Sequence, residues 1–182
     1  MNPFSHARRS GKLVILMVCL GIALSACGDA RLGRARALED RGALAEANEL
    51  YLDVLADHPD DLASLKGLAV NLVLLRRFDE ALPYQERTIA ADPRDVQTRV
   101  ELAFNYLNHQ ARPDAAVRVF QEAVALDPSP KHRTFLAQSL IASGNTAEAR
   151  SILLDVMKVD PGYRYASTIL RKLEGGQPGG AG

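Results

Sequence analysis

Cys19, Cys27, four histidines and the paired acids Asp79-Glu80 are the residues with which this chain could do chemistry. A thiolate is a nucleophile and a soft metal ligand; imidazole and carboxylate act as acid, base or ligand. Their spacing builds none of the usual sites. His6, His58, His109 and His132 fall in no HExxH or other zinc-ligand pattern. No GxSxG elbow, phosphate-binding P-loop or GxGxxG turn occurs. Glu46 and Asp79-Glu80 fall where helices should begin, and Arg76-Arg77 and Arg171-Lys172 where they should end, each at the favourable pole of the helix dipole. His58, His109 and His132 are expected as solvated or capping residues at helix ends. The sequence therefore predicts no catalytic residue, no metal, no cofactor and no small-molecule substrate.

Cys27 stands apart because of what precedes it. Arg8, Arg9 and Lys12 form a positive start, and 13–24 is an unbroken apolar run of twelve residues. That is the layout of an export signal, and the run is too short to cross a bilayer comfortably as a helix. Leu24-Ser25-Ala26-Cys27 then resembles a bacterial lipobox, small residues before a cysteine whose thiolate attacks the lipid donor. The resemblance implies cleavage after Ala26 and a diacylglyceryl thioether on Cys27, giving a signal at 1–26 and a lipidated terminus at 27–29. Two or three acyl chains hold a protein at a membrane firmly where one does not. An ordinary cleaved signal with a chance cysteine, or an uncleaved anchor, remains the alternative. The pair Arg8-Arg9 resembles a twin-arginine signal, but Ser10-Gly11 replaces the bulky apolar residues that motif prefers. Gly28 rather than Asp follows the cysteine, so for a Gram-negative source the expected place is the periplasmic face of the outer membrane.

Composition agrees with a helical, exported domain. The 182 residues are 47% hydrophobic and 24% charged, with 5% aromatics and no Trp, which favours helices over strands. Formal charge is zero, but residues 1–26 hold three bases and no acid. Their removal leaves 19 bases against 22 acids, about −3. No basic stripe capable of neutralising phosphates is present, so nucleic acid is not an expected partner. Once Cys19 leaves with the signal and Cys27 carries lipid, neither thiol nor disulfide is left to stabilise the fold.

What must position any binding surface is a period. Pro59, Pro93, Pro128 and Pro161 are 34, 35 and 33 residues apart, each preceded by His or Asp. Twelve residues before them stand Ala47, Ala81, Ala116 and Ala149; eight before stand Tyr51, Gln85, Phe120 and Leu153, with Gln85 the exception to a large apolar type. Leu68-Ala69, Leu102-Ala103 and Leu136-Ala137 recur, followed by Leu72, Tyr106 and Leu140. Gly42 and Gly144 fall where one helix should turn into the next. Small residues let two helices approach within ~8–10 Å, larger ones fill the space between them, and an acid-Pro pair stops the second helix.

This pattern resembles the tetratricopeptide repeat (TPR) over about residues 28–161. The resemblance implies an all-α, right-handed superhelical solenoid of about four helix-turn-helix repeats, near 28–61, 62–95, 96–129 and 130–162, with a capping helix at 162–174. The solenoid would span 30–174, and the Gly-rich tail 175–182 reads as disordered. Helix pairs are expected near 30–41 with 44–57, 61–75 with 78–91, 96–109 with 113–126, and 131–143 with 146–159. Arg31, Arg34 and Ala35 occupy positions usually large and apolar, so the first repeat reads as degenerate and apt to fray. Pro83 lies early in a helix, and one extra residue lengthens the turn around Ala111–Pro113.

The family resemblance also implies a concave groove lined by the first helix of each pair. Transferred position by position, it runs through Lys66, Val70, Val73, Val100, Phe104, Leu107, Gln138 and Ile141. The apolar stretch from Val70 to Leu107 suits an apolar or amphipathic segment of a protein partner, unless the coil is tight enough for these side chains to pack on one another. The family's clamp for C-terminal carboxylates is missing: Lys66 is followed by Val70, not Asn, and the next unit offers Gln97 and Glu101. A lipobox followed directly by a short TPR array is similar in layout to the TPR lipoproteins of type IV and Flp pilus assembly. Adaptors of envelope proteases or cell-wall enzymes share that layout and remain an alternative.

Overall fold

The computed structural model describes residues 30–175, in which nine α-helices and no strand occur. The chain divides into two compact units, one through Asn71 and one from Leu72. The first holds α1 (30–39), α2 (Leu44–Asp57) and most of α3 (Leu62–Leu74). The second holds the end of α3, then α4 (Phe78–Ala91), α5 (Val96–Asn108), α6 (Pro113–Leu126), α7 (Pro130–Ala142), α8 (Thr146–Val159) and α9 (Arg164–Gly175). The signal, the lipobox, Cys27 and the tail beyond Gly175 lie outside the described residues.

The periodic residues do the jobs their sizes suggest. Ala47, Ala81, Ala116 and Ala149 are all fully buried, as are Phe120 and Leu153, and Tyr51 nearly so. The Leu-Ala pairs at 68, 102 and 136 are buried too. Within the second unit each helix packs mainly on the next, with α5, α7 and α9 also touching in sequence. That is the nearest-neighbour packing of a helical repeat.

The turns inside the helix pairs share one hydrogen-bond scheme. The N–H groups of Ala43, Arg77 and Asn145 each donate to the carbonyl five residues back, Leu38, Leu72 and Leu140, at 2.8–2.9 Å. The N–H one residue earlier donates to Glu39, Val73 and Ile141. This double closure needs a left-handed residue, and Gly42 (φ 76°) and Gly144 (φ 86°) supply it without strain. Arg76 (φ 60°) and Ala111 (φ 50°) take the same conformation with a Cβ. In the third pair the extra residue is absorbed by a longer closure, Arg112 N–H to Tyr106 O at 2.9 Å.

The junctions between pairs repeat as well. The N–H of His58, Asp92, Asp127 and Asp160 donates to the carbonyl four residues back at 2.8–2.9 Å, and the proline that follows ends the helix. Asp61 and Asp95 then cap α3 and α5, accepting from Ser64 N at 2.8 Å and Thr98 N at 3.0 Å. α7 starts instead on Ser129-Pro130, with proline at its first position. Pro83 sits inside α4.

In the first unit the degenerate helix is tethered. The Arg31 guanidinium reaches from α1 to Asp53 Oδ2 at 2.9 Å and Asp57 Oδ2 at 2.6 Å on α2, while Ala35 is fully buried. The fraying read from Arg31 and Arg34 is thus opposed by an ion-pair clasp across 22 and 26 residues of sequence. Gly67 has a reason of its own: a Cβ there would overlap the ring of Tyr51, 2.7 Å from its hydroxyl oxygen. Burial, then the hydrogen bond to Glu39, push the Tyr51 phenol well above its usual range.

Candidate functional site

The expected groove residues are placed unequally. Val70 is 40% exposed and Lys66 half-buried on α3. In the second unit Val73, Phe104, Leu107, Gln138 and Ile141 are half-buried, with part of each side chain reachable from solvent. Val100 departs from the sequence reading. It is only 6% exposed and belongs to the core with Ala103 and Phe120, one helical turn from Phe104, so it offers no contact to a partner.

Phe104 itself has two allegiances. Its ring meets Phe120 edge-on at 5.2 Å and Phe135 at 4.8 Å, and Phe135 continues to Tyr165 at 6.2 Å. Such T-shaped pairs hold rings in fixed orientation. Part of Phe104 is thus spent on Phe120 and Phe135. The rest lines a depression of about 150 Å³ with Val73, Phe78, Glu101, Asn105 and His109. A larger hollow of about 510 Å³ lies between α7 and α9, where Gln138 and Ile141 face Tyr165, Ile169 and Leu173. Gln138 Oε1 accepts from the Tyr165 hydroxyl at 2.8 Å, which fixes one wall.

A buried polar seam accompanies the smaller depression. Asn105 Nδ2 donates to Phe78 O at 2.9 Å and to Gln85 Oε1 at 3.1 Å. Gln85, fully buried where the other repeats carry Tyr, Phe or Leu, thus draws in a second amide from α5. Asn105 Oδ1 and Gln85 Nε2 are left without partners, each an orphan costing on the order of 1–3 kcal/mol. The neighbouring Phe78 ring stacks on His109 at 3.4 Å, nearly parallel. Sequence reading missed Phe135, Tyr165 and this stack. None recurs at the repeat period, so the signal that found the core could not find them.

Two of the described histidines, His109 and His132, are packed against neighbouring side chains. His132 is not solvated: it is 8% exposed, with Nδ1 3.1 Å from Ser129 Oγ and 3.0 Å from Asp127 Oδ2. A catalytic triad needs the hydroxyl and the carboxylate on opposite ring nitrogens, whereas here both address Nδ1. The cluster braces the first turn of α7. Among the described residues no group of three His, Cys, Asp or Glu side chains could hold a metal, and no helix is long and apolar enough to cross a membrane.

Residues 32–96 and 107–173 each match the tetratricopeptide repeat family. The chain belongs to that family. Among solved structures, this TPR chain is similar to MamA AMB-1, at 27% identity and TM-score 0.68 over 74% of both chains. A second MamA crystal structure aligns at 17% identity and TM-score 0.71, over 78% of this chain and 83% of that one. MamA residues 41 to the end from Desulfovibrio magneticus RS-1 align at 22% identity and TM-score 0.64, over 75% and 77%. The last two likenesses concern the fold alone. No curated protein matched the chain. The TPR fold is a protein–protein interaction scaffold, since stacked helix pairs present the extended surfaces such repeats use for binding.

Proposed function

We propose that this TPR protein is exported and lipid-anchored through Cys27, and that it binds an apolar or amphipathic segment of a partner protein along the first helices of its repeats. The observation that carries the reading is the half-buried apolar row Val73, Phe104 and Leu107, with Ile141 beyond it. These side chains are neither finished as core nor replaced by the polar types that a purely solvated face would carry. The anchor rests on Leu24-Ser25-Ala26-Cys27 and the charged, apolar run before it. Nothing in the motifs gives the chain chemistry of its own, so the role proposed is assembly, with a pilus or secretion complex of the cell envelope as the client.

Photo-crosslinking from position 104 in intact membranes tests the groove. Capture of a secretin or pilus subunit supports the assembly role, and capture of an envelope protease or cell-wall hydrolase turns the protein into an adaptor. Absence of any crosslink above that from a control position on the exposed side of α6, such as Gln121, removes the groove reading. Detergent phase partitioning of the wild type against Cys27→Ser tests the anchor: only the wild type should enter the detergent phase.

A further inference from the structure

The chain carries its charge unevenly. Residues 30–129 hold 12 Lys or Arg against 17 Asp or Glu, whereas 130–175 hold seven against four. The last repeat and α9 are therefore a basic end on an otherwise acidic protein, and α7 has no acid at all. The hollow of about 510 Å³ lies at this end, between α7 and α9. Ile141, Ile169 and Leu173 give it apolar walls, with the Tyr165 ring beside them. Its polar lining offers donors. Lys172 forms no ion pair among the described residues, and Gln138 keeps an amide nitrogen without a partner while its Oε1 accepts from the Tyr165 hydroxyl. No acidic side chain lines the hollow. Glu174, close by in sequence, is already held by the Arg150 guanidinium at 2.9 Å.

We infer that this hollow seats an apolar side chain of an acidic partner segment, whose neighbouring carboxylate pairs with Lys172; the inference rests on the groove reading above. A carboxylate only accepts hydrogen bonds, and the lining presents an ammonium and an amide N–H to be accepted. A basic segment would meet Lys172 head-on, and a neutral one would fill the apolar walls without using the charge. Lys131 extends the positive field along α7. Its ammonium lies 5.8 Å from the Phe135 ring, which meets Tyr165 at 6.2 Å. The depression beside Phe104 carries Glu101 instead. The two hollows thus differ in sign, and an acidic segment is steered to the one between α7 and α9.

The test uses the full chain, isotope-labelled at its isoleucine methyls. It is titrated with short amphipathic peptides with blocked ends, alike in their leucines and carrying glutamate, glutamine or lysine between them. The glutamate peptide should move the Ile141 and Ile169 signals saturably and bind roughly three- to fivefold more tightly than the glutamine one, the scale of one exposed charge pair. Added salt should shrink the difference. Lys172→Gln should remove most of the preference, and Lys172→Glu should reverse it in favour of the lysine peptide. Lys172 is exposed in the last turn of α9, so both variants should fold, as circular dichroism checks. Equal binding of the glutamate and glutamine peptides overturns the carboxylate contact and leaves an apolar groove standing. A preference unchanged by Lys172→Gln overturns it also, because the charge is then read elsewhere. Movement of the same signals on shortening the chain after Gly175 assigns the hollow to the protein's own tail, and movement with protein concentration assigns it to a second copy; either overturns the proposal. If no peptide moves Ile141 or Ile169 while position 104 still crosslinks to a partner, the hollow fails and the groove survives; if the crosslink is lost as well, both fail.

Discussion

Between α1 and α2 the contacts include a guanidinium, Arg31, gripping Asp53 and Asp57, with small Ala35 beneath it. Between α5 and α6 a like ion pair recurs, Arg99 Nε to Glu122 Oε2 at 3.2 Å, with Ala103 again fully buried, but the large side chains Leu102 and Phe120 are buried beside it. Both pairs close their turns on left-handed residues and keep a fully buried alanine on the second helix, Ala47 in one and Ala116 in the other. The repeat frame is therefore set by small residues and turn geometry; an arginine–carboxylate contact accompanies it in both pairs, and the apolar filling beside that contact differs. The ionic contact is the weaker part: Asp53 and Asp57 are 61% and 46% exposed, so water and salt compete with their partner.

Breaking the apolar pair should cost most. Phe120→Ala deletes a fully buried ring that also supports Phe104 and Phe135. A loss of about 3–5 kcal/mol is expected in urea unfolding, together with loss of crosslinking from position 104. Next comes Gly67→Ala in the first unit. Alanine is the better helix former, but its methyl displaces the Tyr51 ring from a site where it is 2% exposed. The variant should lose about 1–3 kcal/mol, and pairing it with Tyr51→Leu should recover part of the loss. A gain is expected from Ala111→Gly, which relieves a left-handed Cβ in the longest turn, by about 1 kcal/mol. The smallest effect belongs to Arg31→Gln. Its lowering of the melting temperature should shrink as salt is added, whereas the Phe120→Ala loss should not; equal salt dependence would erase the distinction between the two pairs.

Much of this frame could be read from residues alone, because it rests on features that recur. The prolines, the alanines twelve residues before them and the Leu-Ala pairs have one role each per repeat, and Gly42 and Gly144 mark turns through backbone freedom. Features that depend on one pairing across the fold stayed hidden. Nothing local says that Gly67 is small because Tyr51 covers it. Gln85 is visible as an exception, but its compensation by Asn105 is a contact between helices and leaves no periodic trace. Val100 shows the same limit at the site. A position transferred from the family pattern puts it on the groove, while its burial depends on how α5 and its neighbours pack around it.

The sequential packing of the second unit also bears on how the molecule would behave under tension. α9 is fastened through α8 and α7, with Ala166 and Leu170 as its buried contacts. A pull on the carboxyl end would meet these fasteners one helix at a time. The chain would lengthen in small successive steps of one helix or one pair, with α9 yielding first and the aromatic cluster of Phe104, Phe120 and Phe135 resisting longer. The second unit would then behave as a graded spring rather than a rigid strut.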